Sequence, residues 1–218
     1  MNIKRIFTHG PLYIIWFLLI NSFIFSLFEE KLLIAFMAVL TFFLTLLPFL
    51  FKKKYNVYIS NFFSSFLAFF IYGSIFLGET SAFYTKFAWW DSLLHLFSAV
   101  GFGLIITVIL LLIFGKKTNQ SNPIMFPLFA FCFTVTLGLF WEFFEFFADQ
   151  SFGFQMQGSN ADTMKDLILD CIGASTASIA GYLYLKDSRF NPFGEIIERN
   201  YIANKALAKR EADQNQNK

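Results

Sequence analysis

Three stretches, WWDSLLH (89–95), WEFFEFFAD (141–149) and DTMKDLILDCIG (162–173), hold most of the chemistry this chain offers. Asp91 and His95 are four residues apart, Glu142, Glu145 and Asp149 follow i, i+3, i+7, and Asp162, Asp166 and Asp170 recur every four. On helices, each set occupies one face. Carboxylates with one imidazole hold a cation or pass protons. Such a donor set fits Mg²⁺, Mn²⁺, Ca²⁺ or Zn²⁺ far better than Cu(I). No Arg occurs between Arg5 and Arg189, and Lys86 and Lys165 are the nearest bases besides Lys31. These acids therefore outnumber their basic partners, and in a membrane they must be protonated, hydrated or holding a cation.

Positioning such residues requires membrane helices. Of 218 residues, 56% are hydrophobic and 15% charged, against about a quarter charged in an ordinary soluble domain. The apolar residues run in long blocks rather than stripes, which is membrane composition. The 34 Phe are assigned no function of their own. A crossing needs about 20 apolar residues, and six blocks meet that length: 12–28, 32–51, 57–78, 92–114, 124–148 and 167–185. The expected fold class is all-α integral membrane, a six-helix transmembrane domain over 1–185 followed by a polar cytoplasmic tail over 186–218. Within that tail, 199–208 reads as a short helix on a solvated end that touches anionic headgroups. Lys4 and Arg5 precede the first block, but no small-x-small cleavage pattern follows before Glu29, so it reads as a retained helix. Cys132 and Cys171 read as small apolar filler, not a disulfide or metal knuckle.

Orientation follows from the basic residues. Lys4, Arg5, Lys52–Lys54, Lys116, Lys117 and those from Lys186 onward fall on one side; only Lys31, Lys86 and Lys165 fall on the other. Both termini are expected to be cytoplasmic. Ten of the 15 acids, from Glu29 to Asp170, lie on the opposite side or in the membrane. The positive-inside rule does not demand that excess. At about 1.5 Å per residue, His95, Glu142, Glu145, Asp166 and Asp170 all fall near one outward-facing interface.

Each residue also has a plainer reading. Asp91 suits a helix N-cap, Asp166 with Thr163 three residues earlier suits a capping box, and Asp162 suits a loop. Glu142 and Glu145 lie near a helix C-terminus, where the dipole disfavours anions, and within repelling distance of each other. Asp170 lies too deep to cap. His95 alone reads as a core His bonded to Asp91. Small residues at Ala99, Gly103, Gly138, Gly173, Ala177 and Gly181 continue the charged faces and predict close helix approach. Trp89 and Trp90 read as interfacial anchors, and 149–163, with Gly153 and Gly158, as a loop folding over the site.

The same three stretches, in this order on successive helices, resemble the YjdF-type predicted bacterial membrane proteins. More distantly, the order Asp-x-x-x-His, acid, Asp-x-x-x-Asp-x-x-Gly is similar to VanZ-like proteins. The resemblance covers residues 89 to about 184. It implies a multi-pass protein of a bacterial plasma or inner membrane and supplies no catalytic assignment. The glycopeptide-resistance association of VanZ-like proteins does not carry over, because Gln155-Met156-Gln157 stands where an Arg-bearing motif is expected.

The leading expectation is an outward-facing site that binds a divalent metal ion through Asp91, His95, Glu142, Glu145, Asp166 and Asp170. His95, Glu142 and Asp170 would be its catalytic residues, acting on a lipid or envelope substrate. A proton- or cation-coupled transporter and a non-catalytic scaffold or sensor stand as alternatives. The lipid bilayer is the expected partner; nucleic acid is not. The chain has no H-E-x-x-H motif and no phosphate-cradling loop.

Overall fold

The computed structural model describes residues 3–116, 124–153, 156–187 and 191–216. Lys117, Gln155 and Arg189, used above, lie outside them. Among the described residues every regular element is helical: α1 (Ile3–Phe28), α2 (Leu32–Thr45), α3 (Leu47–Tyr55), α4 (Asn61–Ile71) with a π-helical continuation (Tyr72–Thr80), a short α5 (Phe83–Lys86), α6 (Trp90–Phe114), α7 (Met125–Phe152), α8 (Asn160–Leu185) and α9 (Gly194–Gln216). Six spans are long and apolar enough to cross a bilayer: Gly10–Phe28, Leu32–Tyr55, Asn61–Thr80, Trp90–Phe114, Met125–Phe152 and Asn160–Leu185.

The helices depart from the apolar blocks where local chemistry intervenes. The second span breaks at Leu46, and α3 restarts with Pro48 in its first turn, where a missing N–H leaves no hydrogen bond unmade. The third begins at Asn61 because the Ser60 hydroxyl accepts the Phe63 N–H at 3.4 Å.

The chain forms two compact units, Met1–Trp90 with Ala206–Lys218, and Asp91–Lys205. In the first, Leu12, Ile15, Leu19, Ala38, Ala68, Tyr72 and Phe76 form a core. Trp90 is not an interfacial anchor. It is buried in this unit, and its indole N–H donates to the Gly73 carbonyl at 3.1 Å. Trp89 stays on the surface.

In the second unit the small residues bring backbones together. A Cβ on Gly173 would lie 2.6 Å from the Ala99 Cβ and 2.8 Å from the Leu96 carbonyl; one on Gly181 would lie 3.1 Å from Thr107. Gly103 faces Ala177 and Thr134 in the same way. Small faces of this kind let membrane helices pack by van der Waals contact. Gly173→Val should therefore lower stability by about 1–3 kcal/mol through overpacking, whereas Gly10, with nothing within 4 Å of its added carbon, should accept Val with little effect. Thermal unfolding in detergent compares the two, and equal shifts would refute the packing assignment. On α7, Phe140, Phe143, Phe144 and Phe147 face outward while Glu142, Glu145 and Ala148 are buried. That division sets the acids inside the unit and the rings toward lipid.

The tail is more ordered than a solvated end. α9 runs well beyond the short helix expected over 199–208, and Ile197, Asn200 and Tyr201 are buried along one of its faces.

Candidate cation site in the three-helix unit

The site is built at one end of α6, α7 and α8. Gly153, with φ 72°, ends α7 by donating its N–H to the Asp149 carbonyl at 3.0 Å. The Asp149 carboxylate then accepts the N–H groups of Met156 (2.8 Å) and Gln157 (3.0 Å). Its charge is committed to shaping the chain between helices. Of the loop expected over 149–163, residues 149–152 belong to α7 and 160–163 to α8.

Ser159, not Thr163, caps α8, its hydroxyl accepting the Asp162 N–H at 3.2 Å. The cap therefore lies one turn earlier than the Thr163–Asp166 pairing expected. Asp162 is in the first helical turn and pairs with Lys165. That register carries Asp166 and Asp170 past any capping position, to 2% exposure each.

His95 is the hub. Its Nδ1 lies 3.3 Å from Asp170 Oδ2, and its Nε2 lies 3.6 Å from Glu142 Oε1 and 4.0 Å from Asp91 Oδ1. Asp91, His95 and Asp166 each offer a ligand atom, all within 4.8 Å of one another. Asp91 is the most open member, with a quarter of its side chain exposed. Glu145 stands beside this group, with Oε1 taking the Trp141 indole N–H at 2.8 Å.

Several atoms here are unsatisfied. Both oxygens of Glu142, Oδ1 of Asp166 and the hydroxyl of Thr163 are buried with no hydrogen-bond partner among the described residues. Buried polar atoms normally have partners, and burying bare carboxylates is expensive. Lys165 pairs with Asp162 at the surface and acts on Asp91 and Asp166 only through space.

Both imidazole nitrogens face carboxylates, Nδ1 toward Asp170 and Nε2 toward Glu142 and Asp91. Gly138 makes this geometry accessible: a Cβ there would overlap the Asp170 carboxylate.

The six residues expected at the cation site, Asp91, His95, Glu142, Glu145, Asp166 and Asp170, thus all lie in one unit, while Asp149 shapes the chain between helices and Asp162 pairs with Lys165. Sequence reasoning missed Gly138 as the notch for Asp170, Thr163 as a buried hydroxyl beside the acids and Trp141 as the anchor of Glu145. The i,i+4 spacing of Trp141 and Glu145 was the only available signal for the last.

Comparison with known proteins adds a family without a reaction. The family described as predicted membrane protein (DUF2238) matches residues 11–187. An uncharacterized protein of Thermotoga maritima is 32% identical over 102 residues, covering 46% of this chain and 51% of the relative, so the match spans about half of each. No solved structure matches the chain.

Proposed function

Starting from a chain that belongs to the predicted-membrane-protein family DUF2238, we propose that the second unit binds one divalent cation among Asp91, His95, Glu142 and Asp166 and serves a metal-assisted reaction on a lipid or envelope substrate. The observation that carries this reading is the set of buried, unpartnered carboxylate oxygens on Glu142 and Asp166 around the imidazole. Oxygen donors with one nitrogen fit Mg²⁺, Mn²⁺, Ca²⁺ or Zn²⁺. Such an ion supplies Lewis acidity and, when water-bound, a nucleophile near neutral pH.

The chain's own residues divide the remaining tasks. Asp170 holds the Nδ1 proton of His95 and so aims Nε2 at the other acids. Glu142, whose oxygens accept no hydrogen bond among the described residues and whose Oε1 lies 3.6 Å from His95 Nε2, is the second ligand or proton acceptor. Glu145 is held beside the group by Trp141. Asp91 gives the site its opening toward water or substrate.

Purified protein should retain about one divalent cation per chain by elemental analysis. Absence of bound metal, with no response to added Mg²⁺, Mn²⁺, Ca²⁺ or Zn²⁺, would sink the proposal.

A second reading, a proton- or cation-coupled transporter, draws on the buried, unpartnered hydroxyls of Thr107 and Ser178 deeper in the same unit. Ser178 lies eight residues beyond Asp170, about 12 Å along the helix. Ala99, Gly173, Ala174 and Ala177 fill the layers between, all closely packed. That apolar packing favours a site served from its own end. Proton flux in liposomes that Asp170→Asn abolishes would reverse the preference.

The orientation proposed from the basic residues puts this site on the outer face of a bacterial plasma or inner membrane. A cysteine at Ser159, which is exposed, should then react with an impermeant thiol reagent added to intact cells. Labelling only after the membrane is opened would invert the topology and place the site inside.

A further inference from the structure

The other end of the same unit holds a second polar site. α8 ends at Leu185, and Asn191 shapes the return: its Nδ2–H donates to the Ala180 carbonyl at 2.9 Å and its Oδ1 accepts the Phe193 N–H at 3.2 Å. α9 then starts at Gly194 with Ile197, Asn200 and Tyr201 turned inward. Between the two helices lies an open cavity of about 510 Å³ lined by Tyr184, Asp187, Asn191, Glu195, Glu198 and Arg199.

Tyr184 is the informative member. It is 6% exposed, and its hydroxyl, which makes no hydrogen bond of normal length among the described residues, lies beside the Glu198 carboxylate. Its ring is held by the Lys116 ammonium, 4.4 Å from the ring centre, and the same ammonium bridges to Asp187 Oδ1 at 2.9 Å. The backbone N–H of Lys116 donates to the Tyr201 hydroxyl at 3.3 Å. Lys116 is thus committed, while the Tyr184 hydroxyl stands beside Glu198 at the cavity wall.

We propose that this cavity binds the headgroup of a phospholipid carrying a primary ammonium. Position supports a lipid, because Tyr184 and Leu185 form the last turn of a membrane-spanning helix and the cavity begins there, at headgroup depth. Charge sets the class. Glu195 and Glu198 offer acceptors for an ammonium with three N–H donors, and Arg199 offers a fork for a phosphate. The Tyr184 hydroxyl, beside Glu198, orients that carboxylate. A quaternary ammonium cannot donate to the two glutamates, and a purely anionic headgroup meets three carboxylates. This inference is independent of the cation site at the opposite end of α8.

Native mass spectrometry of the full chain, released from mixed vesicles of phosphatidylethanolamine, phosphatidylcholine and phosphatidylglycerol, tests it. Phosphatidylethanolamine should be retained at least about tenfold over the other two, the value of one charged hydrogen bond. Glu198→Gln should erase that preference. Tyr184→Phe, which keeps the ring beneath Lys116, should weaken it at an unchanged thermal midpoint. Equal retention of the three lipids, or an unaltered preference in Glu198→Gln, overturns the proposal. So does tighter binding of soluble phosphoethanolamine than of the lipid, which would make the ligand a free metabolite.

Discussion

Glu142→Gln should abolish the stabilisation that divalent cations give this protein. An ion at 100 times its dissociation constant stabilises the folded state by about 2.7 kcal/mol, so the wild type should unfold at higher temperature with cation than with chelator. In the variant that difference should vanish, because the amide keeps the volume and loses the charge. Without cation the variant should be no more stable than the wild type, because Glu142, 3% exposed, lies 3.6 Å from His95 Nε2 and its loss leaves that imidazole facing an amide. A protein whose Glu142 is only a hydrated structural group would show neither the cation response nor its loss. Thermal unfolding in detergent, with and without chelator, decides between them.

Gly138→Ala should cost the site its imidazole geometry. The added methyl falls on the Asp170 carboxylate, and Asp170, 2% exposed, has little room to retreat. Either α7 and α8 separate or Asp170 rotates away from His95 Nδ1. Helix separation alone would lower stability by about 1–3 kcal/mol with little change in affinity. Loss of the Asp170–His95 contact should instead weaken cation binding about 10–100-fold, as removal of an outer partner does at other metal sites. Asp170→Asn, which introduces no clash, should reproduce the affinity loss without the same packing penalty. If Asp170→Asn binds cation as the wild type does, Asp170 does not act through His95.

The membrane class and the convergence of α6, α7 and α8 were legible because their signals are local. Apolar blocks announce spans, and a four-residue acid spacing survives whatever packs around it. Gly103, Gly173 and Gly181 were legible for the same reason, since small residues on one face have few other uses in a membrane helix. The cap of α8 was misplaced because Ser159-x-x-Asp162 and Thr163-x-x-Asp166 offer the same pattern one turn apart. Only the chain leaving α7, pinned by the Asp149 carboxylate, selects between them. Trp90 was misread because its partner, the Gly73 carbonyl, belongs to a π-helical turn that no composition rule foresees. The tail was underestimated because Ile197 and Tyr201 are too few to register as an apolar stripe, yet both are buried.

The three stretches of the site enter the membrane in the order in which they are synthesised. Asp91 and His95 arrive on α6, Glu142 and Glu145 on α7, and Asp166 and Asp170 last, on α8. Until α8 arrives, His95 lacks its Nδ1 partner and the site lacks a wall. A chain cut short at 159 therefore leaves His95 and Glu142 without the Asp166 and Asp170 carboxylates that join them. Helices in that state have an incentive to remain near the insertion machinery rather than disperse into lipid, since their ionisable groups are costly there. Maturation of this protein should consequently be slowest at its final insertion step, the one that completes the acid cluster and seals the small-residue seam together.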